Sequence, residues 1–386
     1  MASREPDVVA VAGRSLRLPL GISAQLLSDQ RSADAVDAFV RSSPDHTVYH
    51  RPPYIDFARR QNGVADLMLL SSHGQPLAAI PFHPGPRRVS TGYAGVCFPP
   101  GGQAALRRAL GALGDVARLN RRFRLQSLQS AQAPAVDDTN RSGFLAFLLD
   151  TLDVRQEPLH TRLLRIRATA TPTDTSPSVI AVDPDDLVGM GGYDGDLRNQ
   201  VRQAARRGVT AEVMVIRDAA EAATAYQRFL PIHTASWQRT GMRAHGLDYL
   251  LGLEEAVRVG GGHDVLVFAH APTGAAVAAV SCHVYGERAI YWSGCSLPEA
   301  LPLRANPFCL HAAVEAMRRM GVTAFEMGRF SAAETDPKEI SVTRYKAQFG
   351  GDVQRVLNFE FGAPLVDAHG LGRTARNRAR RWMRRR

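Results

Sequence analysis

Apolar positions recur along the chain in two rhythms. Continuous or alternating apolar runs bounded by Gly, Pro, Asn or Ser predict strands. They cover 124–130, 143–149, 163–166, 209–216 and 288–293. Two pairs of runs predict hairpins: 64–81, around a turn at His73-Gly74-Gln75-Pro76, and 264–269 with 276–284. Apolar residues three or four apart predict helices over 34–40, 49–61, 103–121, 194–208, 219–241, 246–259 and 307–320. Pro52-Pro53 suits a helix start and Gly321 a helix stop. Residues 1–30 read as irregular chain with one or two short strands.

The two halves repeat one order: a helix pair, then a hairpin with a glycine turn and an alanine-rich return strand. DAFVRSSPDHT, YIDFARR and LMLLSSHGQPLAAIPF in the first half parallel AYQRFLPIHTASWQRTG, YLLGLEEAV and VLVFAHAPTGAAVAAVSCHV in the second. This implies an internal duplication of an α/β unit of the α+β type, each copy a largely antiparallel sheet flanked by helices. The Thr-, Pro- and Ser-rich stretch 169–177 marks the junction, which predicts domains over 1–168 and 169–352.

The stretch from Phe325 to Phe361 is built differently. An apolar run ends at Gly328, a polar connector carries Asp336-Pro337, and 340–349 reads as a short helix or turn stopped by Gly350-Gly351 before a last strand at 353–361. Tyr345 and Lys346 sit at its centre. A lysine pinned there presents a fixed positive charge to a pocket, and an ammonium facing an oxygen that turns negative in a transition state contributes several kcal/mol to catalysis. By residue type alone, a surface lysine beside a core tyrosine is the commoner arrangement.

Composition narrows the class. With 386 residues, 45% hydrophobic and 22% charged, the chain suits a folded protein of two or three domains. Cys97, Cys282, Cys295 and Cys309 are scattered, without zinc-ligand spacing, and read as reduced core residues of a cytoplasmic protein with no metal. The N-terminus is a poor signal peptide, and the apolar runs fall short of the ~20 residues that cross a bilayer. The net charge of +10 is mostly a property of the tail, 373–386, whose eight arginines leave a body near +2. Such a tail meets RNA or an anionic membrane surface, or is a solvated end. Arg198, Arg202 and Arg206 share a helix face, with Arg207 beside them: a stripe for RNA phosphates or a solvated face. No P-loop, no Gly-x-Gly-x-x-Gly after a strand and no Ser/His/Asp order is readable. His233, His283 and His311 stand singly on periodic elements and read as structural.

The order of helix, hairpin, YWSG strand, helix ending in RRMG, FEMG strand and YKAQFGG resembles the Fem-type aminoacyltransferases. LRNQVRQAARRGV, HTASWQRTG and TRYKAQFGG carry the likeness most sharply. The resemblance implies tandem domains of the GNAT acyltransferase fold, with 353–372 completing the first. It implies transfer of an aminoacyl group from aminoacyl-tRNA to an amine on a peptidoglycan precursor or a small natural product, with no further cofactor. The family pattern F-K-x-x-F-G falls on Tyr345, Lys346, Phe349 and Gly350, with tyrosine replacing phenylalanine. Lys346 is then the catalytic cation, with Tyr345 packed beside it against the substrate. Arg239 and Trp237 fall in the substrate loop, Arg59 lies near a second phosphate-binding cation, and Tyr291 and Ser293 end a strand along the groove. Two rivals stand beside this reading. One is an acyl-CoA-dependent N-acyltransferase, against which the missing Q/R-x-x-G-x-G/A loop speaks; the other is a non-catalytic RNA-binding protein.

Overall fold

The computed structural model describes residues 7–11, 14–43, 46–63, 65–84, 89–90, 95–100, 102–120, 125–126, 128–130, 155–165, 178–180, 190–330 and 337–360. The expected strand at 143–149, the junction at 169–177 and the basic tail lie outside them. The chain divides into two units. The first holds Met1–Asp45, Asp66–Glu157 and Leu357–Arg386, the second His46–Ala65 and Pro158–Val356.

The first unit begins with three strands, more than the one or two expected from residues 1–30. Asp7–Val11 and Arg14–Leu18 pair antiparallel, and Ile22–Leu26 edges a five-stranded sheet. Their polar, exposed positions dilute the alternation that signals a strand. The sheet continues through Asp66–Ser72, Gln75–Pro84, Val89–Ser90 and Leu125–Gln126. The run expected over 124–130 is thus two short strands, Leu125–Gln126 and Leu128–Ser130, the second pairing with Leu357–Phe359. Helices Ala33–Ser42 and Gly102–Leu119 accompany the sheet. Leu70, Ile80, Phe82, Phe98, Leu113 and Val116 fill its core. Asn120, just past the helix, donates to the carbonyls of Val116 and Arg17 at 2.6 and 2.7 Å and accepts the Arg17 amide at 2.8 Å, tying helix end to strand.

In the second unit the strand order is Ser178–Ile180, Thr210–Ile216, His263–His270, Ala276–Tyr285, Arg288–Ser296, Ala324–Phe330, then residues 158–165 of strand Arg155–Arg165 and residues 352–356 of strand Asp352–Glu360. Pairing is antiparallel from Ser178 through Ser296, parallel between Arg288–Ser296 and Ala324–Phe330, and antiparallel again onto Arg155–Arg165. That last strand is far longer than the 163–166 expected. Helices Gly195–Arg206 and Ala305–Arg319 bury Leu197, Val201, Phe308 and Leu310 against one face of this sheet. Ala219–Arg239 and Leu247–Val259 bury Tyr226, Phe229, Ile232 and Leu250 against the other. Asp194 and Asp218 cap Gly195–Arg206 and Ala219–Arg239 through their carboxylates, which accept first-turn amides as N-caps do. Helix Pro52–Asn62, read from sequence as half of the first helix pair, lies in the second unit. Its aromatic face decides this: Phe57 meets Tyr249 edge-on with ring centroids 5.2 Å apart.

Candidate active site

Strand Arg288–Ser296 is paired with Ala324–Phe330 only at Arg288↔Ala324, Ala289↔Phe325 and Ile290↔Glu326. Beyond that point each strand follows a different neighbour. Tyr291, Ser293, Gly294 and Cys295 stay with Ala276–Tyr285, whereas Arg329 and Phe330 stay with Arg155–Arg165. The sheet is therefore wedged open between them. On one side of the wedge, Cys282 pairs with Tyr291 and Ser281 with Ser293, so Trp292 is the extra residue of a β-bulge. On the other side the register shifts between Glu326 and Arg329, around Gly328 at φ +72°. A side chain is strained at that angle, so glycine allows the strand to break its pleat there.

Lys346 comes to this point from helix Pro337–Gln348. It is only 9% exposed, and its Nζ stands 3.6 Å from where a Cβ on Gly328 would be. Helix and strand thus meet at the one residue that has no side chain to separate them. The helix end is fixed by close backbone packing. The Asp194 amide donates to the Gln348 carbonyl at 2.9 Å, and a Cβ on Gly350 (φ +72°) would overlap the Gly192 carbonyl oxygen.

Tyr345 packs beside Phe349, ring centroids 5.5 Å apart, and Phe349 in turn meets Tyr193 at 5.1 Å. Burial among Tyr291, Cys309 and Tyr193 pushes the Tyr345 hydroxyl well above the usual phenol range and keeps it protonated. Its Oη is buried and has no hydrogen-bond partner. Tyr291 folds back so that its hydroxyl fills the place of a Gly294 side chain. Burial likewise raises the thiols of Cys282, Cys295 and Cys309, so none is a thiolate nucleophile.

The opposite face of the sheet carries a different set of groups. His233 stacks on Phe229 at 5.3 Å and touches Trp237 at 4.7 Å, while His245 stacks on Tyr249 at 4.0 Å and its amide donates to His233 Nε2 at 3.3 Å. Trp292 extends the stack to His283 at 5.6 Å. Burial depresses His233 to about 4 and His283 to about 3, leaving neutral rings. His283 Nδ1 is 2.7 Å from the Tyr49 hydroxyl. Behind it, Asp264 is fully buried, bonded by Tyr226 and Ser281, and pushed up to about 7 by loss of solvent.

The sequence-predicted residues are thus distributed. Lys346, Tyr345 and Tyr291 come to the wedge, and Ser293, buried at 7%, lies just past the bulge. Trp237 is on the opposite face in the ring stack, and Arg239 reaches the Ser296 hydroxyl at 3.5 Å. Arg59 is tied to Asp56 at 2.7 Å and to the Ala65 carbonyl at 3.0 Å. Of the arginine stripe, Arg198 donates to the Tyr193 carbonyl at 2.7 Å and Arg207 to that of Pro302, while Arg206 is exposed. Sequence reading missed Asp264, Tyr226, Tyr49 and His245. Only Phe229, His233 and Trp237, four apart on one helix, left a readable signal.

The connector into helix Ala305–Arg319 spends several of its amides on backbone carbonyls. Leu297, Ala300, Leu301, Arg304 and Phe308 all donate to backbone carbonyls, and Pro298, Pro302 and Pro307 have no amide to offer. Ala305 and Asn306 open the helix, and no side chain caps it. Among the described residues no group of three or more His, Cys, Asp or Glu is placed to hold a metal, and no helix is long and apolar enough to cross a membrane.

Residues 195–347 match the Acetyltransferase (GNAT) domain family. No curated protein sequence matches the chain. Among solved structures, FemX superposes with a TM-score of 0.56 at 13% identity, covering 86% of this chain and 96% of that one. The C-terminal domain of a putative lysylphosphatidylglycerol synthetase from Agrobacterium fabrum superposes at 0.52 and 12% identity, covering 85% and 93%. L-PGS from Bacillus licheniformis superposes at 0.50 and 12% identity, covering 86% and 91%. The chain is built on the GNAT acyltransferase fold that these proteins share.

Proposed function

We propose that this chain moves an aminoacyl group from aminoacyl-tRNA to an acceptor amine and so forms an amide. One observation carries the reading: the parallel ladder ends, the bulge begins and a buried lysine arrives at the same point of a GNAT fold. Attack of the amine on the ester carbonyl creates an oxyanion, and the departing ribose oxygen also gains negative charge. In this reading Lys346 is the cation that faces both, and no covalent enzyme intermediate forms. Tyr345 offers a neutral donor beside it. Arg239 and Trp237 hold substrate from the far end of the strand, Tyr291 and Ser293 line the wedge, and Arg59 offers a second cation. Arg198, Arg202, Arg206 and Arg207 track tRNA phosphates. The acceptor is a peptidoglycan precursor or a small natural-product amine, and the basic tail meets RNA or an anionic membrane surface. The likeness in fold to FemX and to a protein titled lysylphosphatidylglycerol synthetase supports aminoacyl chemistry.

The matched family is titled an acetyltransferase, which favours acyl-CoA as donor instead. The missing Q/R-x-x-G-x-G/A loop argues the other way. Labelled amino acids on a total aminoacyl-tRNA pool, tested against candidate amines, decide between them. Ribonuclease-sensitive amide product is the expected result. Product made from acyl-CoA and indifferent to ribonuclease would sink the tRNA donor. RNA binding without product from either donor would favour the binding-protein reading.

A further inference from the structure

The chain holds two lysines, Lys338 and Lys346, against 45 arginines, so an ammonium at position 346 is a departure from its usual cation. An ammonium is a compact point charge on a flexible four-carbon stem, without the rigid fork that aims a guanidinium. Its aim therefore depends on the backbone beneath it. Lys346 lies in the last turn of helix Pro337–Gln348, and its carbonyl accepts the Phe349 amide at 3.2 Å. Whatever fixes Phe349 fixes the turn from which the ammonium projects.

Phe349 rests on Tyr193, their rings at 67° with centroids 5.1 Å apart. Tyr193 is buried on the bend just before helix Gly195–Arg206, and it is tied from three sides. Its hydroxyl lies 3.3 Å from His311 Nδ1, and its ring meets the His311 ring edge-on at 5.7 Å. Its carbonyl accepts the Arg198 guanidinium at 2.7 Å. Its amide donates to the Met190 carbonyl at 3.0 Å. His311 is itself buried, in the middle of helix Ala305–Arg319, which packs on the sheet. Tyr193 thus bridges a helix fixed to the sheet and the end of the helix that carries the cation. Its neighbours close the same junction. The Asp194 amide holds the Gln348 carbonyl, and Gln348 Nε2 donates to the Asp196 carboxylate at 3.3 Å.

We propose that Tyr193 is a positioning residue for Lys346: it sets the end of helix Pro337–Gln348 so that the ammonium stands at Gly328, where the wedge opens. The effect on rate rests on the acyl-transfer reading above. Tyr193 acts through Phe349 and meets no reacting group. Displacing a catalytic group by about 1 Å is enough to lose about 10²-fold in rate.

The test uses the full chain and has two arms. The first needs no donor. Reductive methylation read by mass spectrometry follows Lys346, with Lys338, the second residue of the same helix, as internal reference. A buried amine reacts through local opening, so Tyr193→Ala should speed labelling of Lys346 by about tenfold and leave Lys338 unchanged. Tyr193→Phe, which keeps the ring against Phe349, should label as wild type does. In the second arm, single-turnover transfer by Tyr193→Ala should fall by about 10–10²-fold with donor and acceptor affinities unchanged. Tyr193→Phe should retain the rate. In a Lys346→Met background the alanine substitution should cost nothing more, because the group it misplaces is already gone. Melting curves establish that each variant is folded, and Tyr193→Leu takes the place of an alanine variant that is not. Unchanged Lys346 labelling in the folded variant, or an equal loss of rate with and without Lys346, overturns the proposal. Faster Lys346 labelling in a chain that transfers nothing from aminoacyl-tRNA would uphold the positioning and contradict only the donor reading.

Discussion

The two faces of the second unit's sheet solve burial differently. Under helix Ala305–Arg319 the sheet itself buries hydrocarbon and thiol, Val265, Val267, Val280 and Cys282, packed on Phe308, Cys309 and Phe349, and the buried polar groups, His311 and Glu315, come from the helix. Under helix Ala219–Arg239 the sheet buries Asp264, His283 and Ser281, and adds His233 and Tyr226 from the helix. Buried hydrocarbon gains stability from each methylene and asks nothing of pH. The other face must satisfy each polar atom, and it ties fold to protonation. The difference is informative because the wedge stands between them. Tyr291 and Tyr345 belong to the first face, while Trp292 belongs to the second.

The comparison can be broken most forcefully on the hydrocarbon side. Phe308 is 1% exposed at the start of helix Ala305–Arg319. Phe308→Ala should cost about 3–5 kcal/mol in urea melts, by roughly the same amount at acid and neutral pH. A cost that changes with pH would mean that the two faces are not separable in this way.

The polar side should show the opposite signature. Asp264 is raised in the fold from 3.8 to about 7, so its stabilising share is full below about pH 4 and is lost as pH rises through 7. His283 is lowered from 6.5 to about 3, so its share is present above 6.5 and lost as pH falls toward 3. Between about pH 4 and 6.5 the two slopes oppose each other. Asp264→Asn lacks the first of them. Its stability should therefore rise relative to wild type from about pH 4 to about pH 7, by at most on the order of 4 kcal/mol. Parallel stability–pH curves for the two proteins would refute the buried, neutral carboxyl.

The smallest expected effect tests the link between helix packing and the wedge. Gly350→Ala places a Cβ into the Gly192 carbonyl in a left-handed conformation, which should cost at least about 2 kcal/mol because the backbone itself must give. Transfer should fall with it, because the same backbone contact sets the end of the helix that carries Lys346. Lost stability with full activity would detach the two.

Much of this was legible in the chain. The runs VLVFAHAP and AAVAAVSCHV announce a hairpin because both strands are covered on each face and bounded by a glycine turn. Lys346 stood out because glycines pin its segment. The wedge was not legible. It depends on which strands become neighbours, and the partner of Ala324–Phe330 on its far side is Arg155–Arg165, some hundred and sixty residues earlier. The polar face was hidden for the same reason: Tyr49 and His283 are 234 residues apart, so a lone histidine gave no sign of its hydroxyl partner. Helix Pro52–Asn62 was placed with the wrong neighbours because periodicity identifies an apolar face and says nothing of what covers it.

The most direct test of the central claim is amide formation by Lys346→Met beside wild type under single-turnover conditions, with Lys346→Arg as a charge-preserving control and melting curves for all three. A cation that faces the developing oxyanion predicts that the methionine variant loses about 10²–10³ in rate at unchanged fold, with partial recovery in the arginine variant. A methionine variant that folds normally and transfers at the wild-type rate would contradict it.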